Sequence, residues 1–264
     1  ANMGRETYLM PMQWESTIVK WEQVSEDRWE PLRYLFPVVA PLTGKVERFT
    51  PLPFTDRPQY INNTVIDDFL NENLDLRWTF IRVPEEKTYS LLENPGFLRL
   101  YSKPGKIEDR KRFSLVGFRQ KESDFEFEVK MNFLPNKDKV ESGVIHYQKE
   151  WNYLTNTVIK KRKKYYLEQK LKEKGKEVVT LKKTILKGYD GNIILKVKSK
   201  KDRYDFFYSL NDGSSFDYFT SIEAIKVLDR NYTGALLGLF TTSNGVLSQD
   251  YADYDWVRYK DFIR

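Results

Sequence analysis

The chain has 264 residues, 40% hydrophobic and 15% aromatic, with no Cys, so disulfides, thiolate metal sites and Cys nucleophiles are excluded. That length allows one to two domains at about 150 residues each, and 17 Tyr, 17 Phe and 6 Trp favour pleated, half-buried surfaces. The net charge of +6 is uneven, since residues 160–203 hold 17 Lys+Arg against 5 Asp+Glu; no apolar run approaches the ~20 residues of a membrane span, and Ala1 to Glu6 lack the regions of a signal peptide, so the chain reads as soluble.

In chain order, the first stretch is proline-rich. Pro11, Pro31, Pro37, Pro41, Pro51, Pro53 and Pro58 all fall before residue 60. Their missing backbone donors predict an irregular extension over 1–60 rather than long regular elements. Trp14, Trp21, Trp29, Tyr34, Leu35 and Phe36 make it too apolar for a free linker, so it is expected to lie along another surface.

From about Asp67 the pattern changes. In Phe125-Glu126-Phe127-Glu128-Val129-Lys130-Met131-Asn132-Phe133 the apolar residues take every second position, the period of a strand with one buried face. Similar runs follow at 143–148, 152–160, 192–198, 204–210, 235–241 and 254–259, several separated by Gly, Asn or Asp. Such spacing predicts an all-β sandwich or barrel over 61–264. Residues 164–186 read as a hairpin turning at Glu173-Lys174-Gly175-Lys176, and Asn211-Asp212-Gly213 reads as a turn because Asn, Asp and Gly tolerate left-handed backbone angles.

The basic stretch beside Tyr165 and Tyr166 would suit a polyanion. Lysines that keep exposed strands from pairing explain it more simply, so nucleic acid is not the expected partner. Among the acids, Glu126 and Glu128 share the polar face of one strand and Asp253 and Asp255 one face of another. Both pairs read as solvated or turn-capping carboxylates rather than a catalytic pair. His146, the one histidine, lies in a strand-like run without a Ser or Cys partner pattern and reads as structural. Asn62 and Asn231 fit the glycosylation acceptor pattern, which matters only in a secreted chain.

Several motifs in order carry a resemblance. They are Gly4-Arg5-Glu6-Thr7 with Met12-Gln13-Trp14, Asp67-Asp68-Phe69, Leu76-Arg77-Trp78 with Arg82-Val83-Pro84, and Pro95-Gly96-Phe97-Leu98-Arg99-Leu100. Later come Phe118-Arg119-Gln120, Ser142-Gly143-Val144 with Tyr147, Tyr208-Ser209 with Asp212-Gly213, Thr233-Gly234-Ala235 with Gly238-Leu239, and Ala252-Asp253-Tyr254-Asp255-Trp256. Together they resemble the C-terminal region of glycoside hydrolase family 43, the β-xylosidase and α-L-arabinofuranosidase family. Two departures are the lysine-rich stretch around 160–183 and Tyr232, where the family usually has Phe.

The resemblance implies the end of a five-bladed propeller and a linker over 1–60, then a concanavalin A-like antiparallel β-sandwich (jelly roll) over 61–264. It implies an accessory role: the sandwich completes and closes the pocket of a catalytic propeller that this chain lacks, on xylo- or arabino-oligosaccharides. The acid and base of inverting hydrolysis would then lie on the propeller, and the isolated chain is expected to be inactive. Arg5 and Tyr232 carry over as substrate-binding residues, the second as the aromatic tip of a loop beside the pocket. No cofactor is required by this reading; calcium is the one ion the sandwich type brings to mind, with Asp68, Glu93 and Asp253, or Asp255, as oxygen donors if the first and last strands meet. The alternative is a stand-alone lectin-like carbohydrate-binding module using Trp151, Tyr153 and Trp256 as sugar platforms.

Overall fold

The computed structural model describes residues 10–47, 64–84, 87–109, 113–228 and 234–262. The chain divides into two compact units, a hairpin unit and a unit holding every element from residue 64 onward.

The hairpin pairs β1 (Met12–Ser25) with β2 (Arg28–Val39) in antiparallel register, from Met12 opposite Val39 to Ser25 opposite Arg28. This corrects the expectation of an irregular extension. Proline forbids a strand only where its nitrogen faces a ladder partner. A two-stranded ribbon leaves one edge of each strand unpaired, and Pro31 and Pro37, six residues apart, present their nitrogens to the same edge. Pro31 stands opposite Trp21 and Pro37 opposite Trp14 in the ribbon's register.

The second unit contains β3 (Thr64–Asp67), β4 (Trp78–Thr79), β5 (Tyr89–Ser90), β6 (Leu98–Tyr101), β7 (Ser114–Arg119), β8 (Phe125–Asn132) and β9 (Glu141–Lys149). After these come β10 (Asn152–Lys161), β11 (Lys164–Lys172), β12 (Val179–Ile185), β13 (Asn192–Lys200), β14 (Arg203–Ser209) and β15 (Asp217–Glu223). One helical turn, α1 (Ala224–Val227), precedes β16 (Leu236–Thr242) and β17 (Tyr251–Asp261). Every ladder between these strands is antiparallel. A seven-stranded sheet runs β12-β11-β10-β9-β16-β7-β4, and an eight-stranded one runs β15-β14-β13-β8-β17-β6-β5 with β3 added beside β17. The expected sandwich is thus present, and the β11–β12 hairpin forms where the sequence places it.

One core lies between the sheets. Val144, Leu154, Val158 and Leu239 of the first sheet pack in a single cluster with Phe127, Val129 and Leu195 of the second. The period-two run of β8 does what its pattern predicts: Phe125, Phe127, Val129 and Met131 are 0–1% exposed. Gly143 of β9 is required by its neighbour strand, since a Cβ there would lie 2.3 Å from the backbone oxygen of Asn156. The turn after β14 has Asp212 at φ 55° and Gly213 at φ 82°, the left-handed angles its residue types predict. Among the described residues no helix is long and apolar enough to cross a membrane.

Candidate functional site

Arg5 and Tyr232 both lie outside the described residues. The chain on either side of residues 229–233 is placed. Val227, Leu228 and Ala235 are buried, and the backbone N–H of Gln120 donates to the Ala235 carbonyl at 3.1 Å. Asn152, 1% exposed at the start of β10, donates from Nδ2 to the Val227 carbonyl at 2.7 Å, while its Oδ1 accepts from the Lys174 backbone at 2.7 Å. One amide thus ties α1 to the turns on either side of β10 and β11. Sequence reasoning missed Asn152, because nothing in its neighbours distinguishes a turn residue from a tie between three segments.

The proposed calcium ligands are only partly brought together. β6 and β17 do meet, but their register sets Arg99 opposite Asp253. The Arg99 guanidinium donates to both Asp253 oxygens at 2.8 Å, lies 3.5 Å from Glu93, and stacks 3.8 Å from the Tyr251 ring centre. The hydrogen bonds to Asp253 raise the guanidinium pKa above its ordinary value. The Asn94 amide also donates to Asp253, at 2.9 Å. Asp68 accepts the Leu70 backbone N–H, and Asp255 meets Lys130 at 3.1 Å beside the bulge between Tyr254 and Trp256. Among the described residues no three His, Cys, Asp or Glu side chains cluster as metal ligands. These residues do not fit calcium: the cation between Glu93 and Asp253 is an arginine.

The other acids are not solvated as the sequence predicts. Glu128 is 3% exposed; it accepts from Arg258 and lies 3.0 Å from Lys196, and Glu126 lies 2.9 Å from Lys198. Burial alone would raise the Glu126 carboxyl, but hydrogen bonds and charge from Lys198 and Lys196 hold it below its ordinary value. Cross-strand register makes this ladder, since Lys198 and Lys196 stand opposite Glu126 and Glu128.

A second ladder lies on the outer face of the seven-stranded sheet. Lys170 reaches Glu141 at 2.7 Å and Glu168 at 3.8 Å; Glu168 also meets Lys161 at 2.5 Å and Lys183 at 3.3 Å. Burial would raise Glu141, yet the Lys170 charge and hydrogen bonds from Asn244, Lys170 and Thr157 hold its carboxyl below the ordinary value. Part of the basic stretch is therefore matched to buried glutamates, Glu168 within it and Glu141 on β9.

Tyr153, Trp151 and Trp256, the three candidate sugar platforms, do not share one surface. Tyr153 is 4% exposed and donates its hydroxyl to Glu108. It belongs to a small cluster with Ile107, Leu115, Ile145, Tyr147 and Phe240, where the sheet's outer face is covered by the chain itself. Trp151 stands at the β9–β10 turn and Trp256 on β17, in different sheets. His146 is 1% exposed, packs 4.8 Å from Tyr204 and 5.6 Å from Phe206, and has its pKa lowered by burial to about 3. It is a neutral core residue.

Two facing antiparallel sheets thus carry paired Lys and Glu ladders on strands of both sheets. Residues 66–260 match the family model of the beta xylosidase C-terminal concanavalin A-like domain. The chain belongs to this family. A non-reducing end alpha-L-arabinofuranosidase of Bacteroides ovatus is 26% identical over 98% of the chain and 45% of its own length. A xylosidase/arabinosidase of Butyrivibrio fibrisolvens is 29% identical over 97% of the chain and 46% of its own length. The crystal structure of a Bacillus licheniformis GH43 protein superposes with a TM-score of 0.73 at 27% identity, covering 98% of this chain and 47% of that one. The family 43 sandwich thus accounts for the fold, and the chain spans under half the length of the relatives it matches.

Proposed function

We propose that this chain is the accessory part of a family 43 glycosidase acting on xylan- or arabinan-type oligosaccharides, with catalysis carried by a propeller that the chain does not contain. The hairpin carries this reading. Trp14, Trp21, Trp29 and Leu35 are 56–65% exposed, and the consecutive Tyr34, Leu35 and Phe36 point apolar groups to both faces of the ribbon. A strand apolar on both faces belongs in a sheet covered on both sides. A two-stranded ribbon alone is at best marginally stable in water. The hairpin therefore reads as a piece of a larger β-body, and the propeller of the relatives' class supplies one. In this reading Arg5 and Tyr232 reach the sugar pocket, Arg5 through planar donors and Tyr232 through its ring face and hydroxyl.

The test joins the chain to a propeller portion from a relative and assays nitrophenyl β-xyloside and α-L-arabinofuranoside. Turnover is expected from the joined protein and none from this chain alone. In the joined protein Tyr232→Ala should lower kcat/KM about tenfold, on the order of 1–2 kcal/mol, with little loss of stability. Turnover by the isolated chain that survives repurification, or a joined protein in which Tyr232→Ala lowers only the melting temperature, would overturn the reading.

A further inference from the structure

The core between the sheets contains two polar side chains that the reading above leaves unexplained. On β10, Leu154 and Val158 face the core, so Asn156 between them faces it too; on β11, Leu167 and Leu171 place Gln169 likewise. The two residues are register partners across the β10–β11 ladder. Asn156 is 1% exposed and Gln169 0%. The amide oxygen and amide nitrogen of both side chains are buried without a hydrogen-bond partner among the described residues. Directly opposite residues hold their Cβ atoms about 5 Å apart, so the two amides share one small volume.

From this juxtaposition we infer that the interior of the sandwich holds a built water site between Asn156 and Gln169. Buried amides keep a partner, from protein or from ordered water, because leaving one unpaired forfeits its hydration. Each amide presents one acceptor oxygen and a donor NH2 group, and one water both donates twice and accepts twice. A water in the shared volume accepts from one NH2 and donates to the other side chain's oxygen, a pairing no apolar ligand offers. Along each strand the nearest side chains on this face are apolar, Leu154 and Val158 beside Asn156 and Leu167 and Leu171 beside Gln169. On the adjacent β9, His146 is opposite Leu154 and hence diagonal to Asn156, and its Nε2 is likewise buried without a partner among the described residues.

The site also keys the hairpin. β10 and β11 pair over nine residues from Tyr153 opposite Lys172 to Lys161 opposite Lys164. A slip of two residues keeps every side chain on its face but sets Asn156 against Leu167 or Leu171. That slip separates the amides and strands both. The observed register is the one that lets them share a water.

Two measurements on this chain test the inference. In a crystal structure resolving ordered solvent, a buried water within hydrogen-bond distance of both amides is expected. A direct Asn156–Gln169 bond with no water, or either amide turned to another protein partner, overturns it. Thermal melts of Asn156→Leu, Gln169→Leu and the double variant give the second reading. Each single change should lower Tm by several degrees, on the order of 5 °C, and the double change by clearly less than the two losses added, because the second substitution removes an amide already stranded. Additive losses overturn the shared site; if the variants do not fold, the crystal structure decides alone.

Discussion

In the hairpin Trp14, Trp21 and Trp29 are 56–59% exposed, whereas in the sandwich Phe125, Phe127, Val129 and Met131 are 0–1% exposed, although both regions are antiparallel strands. The difference was written in the period. β8 alternates, so one facing sheet suffices to cover it; β13 and β17 pair its edges and the opposite sheet supplies the cover within the chain. Tyr34-Leu35-Phe36 does not alternate, so no single face can hold it. Apolar content alone therefore distinguishes neither region; the arrangement of apolar residues along the strand states how many covers each needs.

The largest effect that would break this contrast is a core truncation set against a hairpin truncation. Phe127→Ala should cost the sandwich about 3–5 kcal/mol by leaving a cavity, and Trp21→Ala should stay within about 0.5 kcal/mol in urea unfolding. Equal losses would mean that Trp21 is already covered. A smaller effect separates the ion pairs. Lys170→Met leaves the buried Glu141 without its cation and should cost about 3 kcal/mol. The hairpin pair Lys20–Glu22 is shorter, at 2.6 Å, but its side chains are 59% and 46% exposed, so Lys20→Ala should cost under about 1 kcal/mol. Chemical denaturation of the two variants checks this, and a Lys170→Met loss no larger than that of Lys20→Ala would show that the outer ladder adds nothing to the fold.

Much of the fold was legible, because strand period and turn chemistry are local. β8, the β11–β12 hairpin and the Asp212-Gly213 turn form where the residues place them. The misses are all matters of register. Nothing in Arg99 or Asp253 read singly says that they stand opposite one another, and that pairing replaces a calcium site with an arginine. Glu126 and Glu128 looked solvated because their strand alternates, yet lysines on the neighbouring strand stand opposite them and pair with them. Pro31 and Pro37 looked like breaks, yet both stand within β2, opposite Trp21 and Trp14. The candidate pocket residues rested on family resemblance, and Arg5 and Tyr232 lie outside the described residues.

The smallest effect is a pH dependence that belongs to the sandwich alone, since His146 is the only histidine of the chain. Burial holds its imidazole near a pKa of about 3, against about 6.5 in an unfolded chain. Between these values the unfolded chain binds a proton that the folded chain refuses. Stability from this group is therefore complete above about pH 6.5 and declines as the pH falls toward 3. At about pH 5 the decline is on the order of 2 kcal/mol, less than either sandwich substitution above. Glu141 acts in a lower window: its carboxyl sits below the ordinary value, so its contribution is lost only as the pH falls through the acid range. His146→Phe keeps a ring between Tyr204 and Phe206 and removes the titrating nitrogen. Melting temperatures at about pH 7.5 and about pH 5 should differ by several degrees in the parent chain and by much less in His146→Phe. An unchanged difference in the variant would assign the acid sensitivity to carboxylates and remove His146 from the buried groups that set the sandwich apart from the hairpin.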